Sequence, residues 1–299
     1  MGIVEAGRIL AWSSIDAFSG KGLLGRLPII EQHVNNLLAK TGKDKADVAG
    51  VAFATPGLVD TDEMRLISIN DKFSDALDFD FKMWAKMRWS APLVLENDAR
   101  SALAGEWKYG AGKGYDNVVG LTLGTGIGTS AVLQGELLRG KHFQAGILGG
   151  HFVVNVNGTP CNCGNIGCAE AEASTWSLEQ KAKSDPGWEN SELKSAENID
   201  YKTVFTLAEN GDALATRIRN YSMDIWAATV INMIHAYDPE IVILNGGVMG
   251  SAHVIIPYIQ KKVDDHAWLG WEGPQVVQAK NMNNAALLGA AYLASISKQ

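Results

Sequence analysis

Cysteine is scarce in this 299-residue chain, and long apolar runs are missing altogether. The three cysteines all fall between positions 161 and 168. An odd number crowded into one loop does not make the disulfide framework of a secreted domain. No stretch approaches ~18 uninterrupted apolar residues, so no transmembrane helix is predicted. The first residues lack the basic segment and apolar core of a signal peptide, and Ala6 stands where a myristoylation start wants Ser or Thr. No run of Lys or Arg occurs and the formal net charge is −7. Phosphate binding needs clustered cations, so a nucleic-acid surface is not expected. No solenoid repeat or low-complexity tract is visible. These absences together predict a cytoplasmic protein with neither a nucleic-acid nor a membrane partner.

What is present is an alternation of strands and helices. Apolar and charged fractions of 46% and 20% are those of a globular chain, and the length suffices for two domains. Ile3-Val4 and Ile9 to Trp12 flank a Gly-containing turn and predict a hairpin. Helical spacing runs from Ile29 to Thr41. Asp47 to Thr55 reads as a buried strand closed by Pro56-Gly57. Leu93-Val94-Leu95 is a second strand, followed by a helix over Ala99 to Lys108. Further on, two β-rich runs flank Gly124 to Gly128, and helices are predicted over Glu170 to Ala182, Tyr201 to Asn210 and Asp212 to Ala236. Glu240 to Leu244 is another buried strand. Helices over Ala252 to Val263 and Ala285 to Ile296 close the chain. This order implies an α/β layer architecture.

The most chemical stretch is His151 to Glu170, H-F-V-V-N-V-N-G-T-P-C-N-C-G-N-I-G-C-A-E. Cys161, Cys163 and Cys168 with His151 supply three soft thiolates and an imidazole, the donor set of a closed tetrahedral zinc site. A Gly/Asn-rich loop is a poor place to bury three thiols as mere packing. Asp98 stands where a strand ends and a helix begins, the place where ligands collect in open α/β sheets. It can act as a proton acceptor for a substrate hydroxyl, with Asn97 holding the substrate, or serve as an ordinary helix cap. Gly124-Thr125-Gly126 can cradle a phosphate or simply turn a hairpin. It is not a Walker A loop, because no Gly-Lys-Ser/Thr follows. Gly246-Gly247, between a strand and a helix, suits a nucleotide at a helix N-terminus or a tight βα turn. Asn70 is a candidate polyol ligand or a turn residue.

Taken together, P-G-L-V-D at Pro56 to Asp60, L-E-N-D-A at Leu95 to Ala99, L-G-T-G-I-G at Leu123 to Gly128, and G-G-H…C-N-C-G-N-I-G-C-A-E…S ending at Ser174 resemble the ROK family of bacterial sugar kinases and sugar-responsive repressors. I-V-I-L-N-G-G and the closing A-L-L-G-A-A-Y-L-A extend the resemblance over nearly the whole chain. It implies a two-domain actin/hexokinase-like (ribonuclease H-like) fold with a substrate cleft between domains. The expected smaller domain spans 1–98, with the last helix (about 286–299) packing back on it, and the larger spans 99–285. The implied activity is ATP-dependent phosphorylation of a hexose or N-acetylhexosamine, with Mg²⁺ on the phosphates. By resemblance Asp98 is the general base. Asn70, Asn97, His151 and Glu170 contact sugar, and Gly124, Thr125, Gly126, Gly246 and Gly247 line the nucleotide. His151, Cys161, Cys163 and Cys168 hold a structural zinc. A homo-oligomer, dimer or tetramer, is the implied assembly.

Two departures qualify the resemblance. The family's Glu-x-Gly-His motif has Leu148 at the Glu position, so a sugar-facing carboxylate is replaced by an aliphatic chain, and substrate preference or affinity should differ from a glucokinase. The family's opening strand and its Asp-x-Gly-Gly-Thr phosphate loop are not present ahead of Gly2. The N-terminal sheet is therefore expected to lose or rearrange its middle strand, with the opening hairpin shifted or the pairing supplied by another chain. An inactive truncated kinase, or a sugar-binding protein of the same fold without catalysis, is the alternative. A repressor is disfavoured, because no helix-turn-helix precedes Gly2.

Overall fold

The computed structural model describes residues 1–16, 18, 20, 22–69 and 73–297. Asn70 lies outside the described residues. Contacts divide the chain into two compact units. One comprises Met1–Gly114, Arg139–Ala145 and Asn283–Gln299, and the other Tyr115–Leu138 and Gly146–Met282. The sequence reading ended the first domain at 98 and gave the second 99–285. The structure instead keeps the helix after Asn97 in the first unit, for the packing reason given below.

The first unit opens with the hairpin of β1 (Gly2–Glu5) and β2 (Arg8–Trp12). Its two-residue turn, Ala6-Gly7, has both φ angles positive, at 47° and 76°. That is the primed geometry matching strand twist. Helix α1 (Leu27–Lys40) carries Pro28 in its first turn, where a missing amide costs nothing. Then come β3 (Val51–Thr55), β4 (Leu58–Asp60), β5 (Arg65–Ser68), α2 (Phe81–Trp89), β6 (Leu93–Asn97) and α3 (Asp98–Tyr109). Phe81, Trp84 and Trp89 of α2 form a buried aromatic cluster with Phe53 and Phe79.

Among the described residues the strands of this unit form three separate pairs: β1–β2 antiparallel, β3–β6 parallel and β4–β5 antiparallel. No continuous five-strand sheet is built from them. A rearranged N-terminal sheet was the sequence expectation.

The second unit holds a five-stranded mixed sheet in the order β11-β10-β7-β8-β9. Its elements are β7 (Val118–Leu123), β8 (Ile127–Leu133), β9 (Glu136–Leu137), α4 (Ala169–Ala173), α5 (Thr175–Ser184), α6 (Tyr201–Glu209), α7 (Ala213–Tyr237), β10 (Ile241–Asn245), α8 (Ala252–His266) and β11 (Gln275–Gln278). β10 runs parallel to both β7 and β11, whereas β7, β8 and β9 form a meander. β7 and β10 are near-continuous apolar runs because both are buried mid-sheet strands. The expected helix over 170–182 is broken at Ser174, which is extended (φ −100°, ψ 165°).

The chain ends in α9 (Ala285–Ile296), which belongs to the first unit. It meets α3 at glycines. A Cβ on Gly289 would collide with the Ser101 carbonyl, and one on Gly105 with the Ala285 carbonyl. This backbone-close crossing of α3 and α9 is why α3 stays with the first unit.

Candidate functional site

The second unit brings His151, Cys161, Cys163 and Cys168 together, with their donor atoms within 4.8 Å of one another. The Cys163 and Cys168 sulfurs are 3.7 Å apart, and the Cys161 sulfur is 3.7 Å from His151 Nδ1. A tetrahedral zinc with bonds of about 2.3 Å to sulfur and 2.0 Å to nitrogen requires sulfur–sulfur and sulfur–nitrogen separations of about 3.8 and 3.5 Å. The two separations of 3.7 Å thus match two edges of such a tetrahedron, and all four donors lie within its reach. Burial pushes the Cys168 thiol up to about 12 and also raises Cys161. Burial acts upward on Cys163 as well, but the Asn165 amide and the neighbouring thiols outweigh it and lower this exposed thiol. Deprotonating all three thiols in one place would need a cation to offset their charge, and this donor set suits zinc.

Local chemistry shapes the loop. Gly167 has φ +71°, and a Cβ there would collide with the Asn155 carbonyl. Antiparallel bridges Val153–Cys168 and Pro160–Ile166 close the loop on itself. Glu172, one turn after Cys168, is buried beneath it. Its carboxylate accepts the Thr159 amide, Lys181 Nζ at 2.7 Å and the Tyr221 hydroxyl at 2.6 Å. Burial alone would raise its pKa, but these three donors hold it down to about 2. The sequence reading missed Glu172, since its partners lie up to 49 residues away.

Glu170 sits in the first turn of α4, directly after the loop. Its Oε2 accepts the Ile127 amide at 2.9 Å, and its Oε1 accepts Trp176 Nε1 at 3.4 Å. Ile127 begins β8, just past the Gly124-Thr125-Gly126 turn of the β7–β8 hairpin. The carbonyls of Gly124 and Thr125 accept the Thr175 and Trp176 amides, both at 3.1 Å, so the turn also caps α5. Gly150 leaves no room for a Cβ against the Ile127 carbonyl, which brings the 3-10 turn carrying His151 onto the start of β8.

The glycine segments also meet. Gly246 follows β10 with φ +100°, and a Cβ on it would collide with the Leu123 carbonyl at the end of β7. Gly124–Gly126 and Gly246-Gly247 thus occupy the carboxyl ends of two adjacent parallel strands, the usual location of ligands in such sheets. Leu148 precedes the His151 turn and is 39% exposed.

In the first unit β6 ends at Asn97 and α3 begins at Asp98. Asn97 is the helix cap. Its Oδ1 accepts the Ala99 and Arg100 amides at 3.0 and 3.2 Å, while its Nδ2 donates to the Gly57 carbonyl at 3.0 Å. The sequence reading offered the cap to Asp98 as an alternative role. The structure gives that role to Asn97 and leaves Asp98 exposed in the first helical turn, where its Oδ1 accepts the Ala99 amide at 2.8 Å.

Behind them lies a buried ion network absent from the sequence reading. Glu96 pairs with Arg100 at 3.3 Å and with Arg139 at 2.7 Å. Arg100 Nη2 also donates to the carbonyls of Phe143 and Ala145 at 2.8 and 3.0 Å. Desolvation lowers the Arg100 pKa, against the opposing pull of Glu96.

These features, a mixed sheet with glycine turns at its strand ends and a His/Cys loop leading into a helix, define a two-domain α/β protein of the actin/hexokinase type. The chain belongs to the ROK family, whose family model matches residues 27–296. It is 33% identical to a glucokinase of Thermotoga maritima, over 97% of this chain and 92% of that protein. It is 23% identical to the xylose repressor of Bacillus subtilis, over 80% of this chain and 59% of the repressor. The structure is similar to that of a ROK family glucokinase from Streptomyces griseus in complex with glucose and AMPPNP. The TM-score is 0.77 and the identity 28%, with 99% of this chain and 95% of that one covered.

Proposed function

We propose that the chain is a ROK-type sugar kinase that transfers the γ-phosphoryl group of ATP to a hydroxyl of a hexose or N-acetylhexosamine. The observation that carries this reading is the Glu170–Ile127 bond, which joins the carboxylate we assign to sugar to a glycine turn at the sheet's carboxyl end. The likeness to glucokinases over most of the chain supports it.

In this reading Asp98 Oδ accepts the proton of the sugar hydroxyl as that oxygen bonds to the γ-phosphorus. The bond from phosphorus to the bridging oxygen breaks and ADP departs. Asn97 orients Asp98 by fixing the start of α3, and its capping bonds leave it little capacity to hold sugar as well. His151 and Glu170 contact sugar hydroxyls, and Asn70 is a further sugar contact. The Gly124, Thr125 and Gly126 turn and Gly246-Gly247 receive the phosphates through backbone amides. A Mg²⁺ ion bound with the nucleotide would offset its phosphate charge. A zinc held by His151, Cys161, Cys163 and Cys168 would be structural, because four protein ligands would leave it no position for chemistry. Leu148 offers no hydrogen bond to a sugar hydroxyl, so the preferred sugar differs from glucose or binds more weakly. The protein acts in the cytoplasm as a homo-oligomer.

The test is ADP release across a panel of hexoses and N-acetylhexosamines, repeated with Asp98→Asn. Turnover with at least one sugar, lost in Asp98→Asn while sugar binding persists, is expected. Sugar binding without any turnover would instead support a binding protein of the same fold. An active Asp98→Asn variant would remove Asp98 from its role as base.

A further inference from the structure

Glu170 and Glu172 stand two apart on the short helix α4, so their side chains leave it on different sides. Glu170 turns to the Ile127 amide. Glu172, 2% exposed, turns under the cysteine loop and meets Thr159, two residues before Cys161. Each polar group of Thr159 is engaged. The amide donates to Glu172 Oε1, and the hydroxyl accepts from Lys181 Nζ at 2.9 Å. The carbonyl accepts the Gly167 amide at 2.9 Å, and Gly167 immediately precedes Cys168. The Gly167 carbonyl in turn accepts the Val154 and Asn155 amides at 2.9 and 3.2 Å. Thr159 therefore ties the side of the loop that carries Cys161 to the side that carries Cys168.

Glu172 holds that tie from helices on either side. α4 carries the carboxylate, α5 supplies Lys181 Nζ at 2.7 Å from Oε2, and α7 supplies the Tyr221 hydroxyl at 2.6 Å. Lys181 Nζ also lies 5.4 Å from the Tyr221 ring centroid, and the Tyr221 hydroxyl accepts Asn155 Nδ2 at 3.5 Å. Trp226 Nε1 donates to the Ala173 carbonyl at 2.9 Å and so fixes α4 on α7. Gly158 leaves the approach open, since a Cβ there would collide with Glu172 Oε1. A buried ion pair by itself says little beyond packing. Here its bonds converge on one loop residue that stands beside two of the metal-site cysteines in the hydrogen-bond pattern.

We propose that Glu172, with Lys181 and Tyr221, is a positioning residue for the metal site: through Thr159 it keeps the Cys161 sulfur in register with Cys163, Cys168 and His151, and so sets how tightly a zinc is retained. It acts through the backbone of the loop and not as a ligand. Groups behind metal ligands commonly change metal affinity by about 10–100-fold. Without the carboxylate the Thr159 amide loses a charge-assisted bond, and the turn from Asn155 to Thr159 can carry Cys161 away from the other donors. The inference rests on the zinc assignment and not on the kinase reading.

The experiment follows zinc release. The full chain, purified from zinc-containing medium, is mixed with an excess of a chromogenic chelator well below the thermal midpoint of every variant. Glu172→Gln should release zinc faster by about tenfold or more. Tyr221→Phe removes one donor to the carboxylate and keeps the ring, and should speed release by about threefold. Val263→Ala makes a small cavity in the buried face of α8, outside the loop and outside α4, α5 and α7. It should release zinc at the wild-type rate. This control separates positioning from general loss of stability, which would speed release in all three variants in step with their melting. If Glu172→Gln does not fold, Tyr221→Phe carries the criterion. Wild-type release rates in the folded loop variants, or the same acceleration in Val263→Ala, would overturn the proposal and leave the zinc assignment standing. A wild-type chain that holds no zinc would overturn both, and ADP release tests the kinase reading separately.

Discussion

The Glu170 carboxylate holds the Ile127 amide at 2.9 Å. This one bond links the helix that follows the cysteine loop to the strand that follows the glycine turn. A side chain proposed to contact sugar is therefore also a clamp on backbone geometry, and the two roles separate by substitution.

Glu170→Gln keeps an acceptor for Ile127, whereas Glu170→Ala removes it. The alanine variant should lose about 1–2 kcal/mol of stability and the glutamine variant less. Both should lose sugar turnover if the carboxylate contacts sugar. Denaturant melts and ADP release, run side by side, check the two effects. Equal melts for all three proteins would show that the clamp contributes nothing.

Metal removal gives a second expectation. The protein should carry one zinc per chain by elemental analysis, and a chelator or Cys168→Ala should strip it and lower the thermal midpoint. The loop has few apolar contacts of its own to hold it closed without the ion. Protein purified from zinc-containing medium with no bound metal would contradict the assignment.

The Glu172 cluster predicts a pH dependence. Its folded pKa, about 2, lies below the ordinary 4.5. A depressed carboxylate pKa contributes stability that is fully present above the ordinary value and is lost as pH falls toward the folded one. Stability should therefore decline between about pH 5 and pH 2. Glu172→Gln should start lower at neutral pH and show a shallower decline through that window. Parallel slopes for the two proteins in acid titrations followed by circular dichroism would refute this.

The helix crossing in the first unit is a packing prediction. Gly289→Ala places a methyl against the Ser101 carbonyl and should cost at least about 2 kcal/mol. Gly25→Ala, with open space around it, is the control and should be neutral. Chemical denaturation of both variants checks the contrast.

How much was legible in the sequence depended on the range of the interactions. The cysteine loop could be read because its ligands lie within 18 positions and their chemistry is local. β7, β10 and α9 could be read because buried runs and small-residue helices carry plain patterns. Which of Asn97 and Asp98 caps α3 could not be read, since both are good caps and the Gly57 carbonyl, 40 residues away, selects Asn97. The break between α4 and α5 at Ser174 follows from the Gly124 and Thr125 carbonyls that receive the next two amides, again a distant cause. The Glu96–Arg100–Arg139 network and the Glu172 cluster were invisible for the same reason. α2 was overlooked although Phe81, Trp84, Ala85 and Trp89 follow a helical rhythm.

The close crossing of α3 and α9 also sets an order of assembly. The first unit is built from three stretches of chain, and its last helix is made only after the whole second unit. On the ribosome, residues 1–114 must wait for residues 283–297 before α3 finds the groove that its glycines fit. The second unit has its sheet and helices complete by residue 282 and can fold first. The N-terminal unit, synthesised earliest, is then the last to reach its native packing, because its closing contact spans nearly 190 residues (from Ser101 to Gly289).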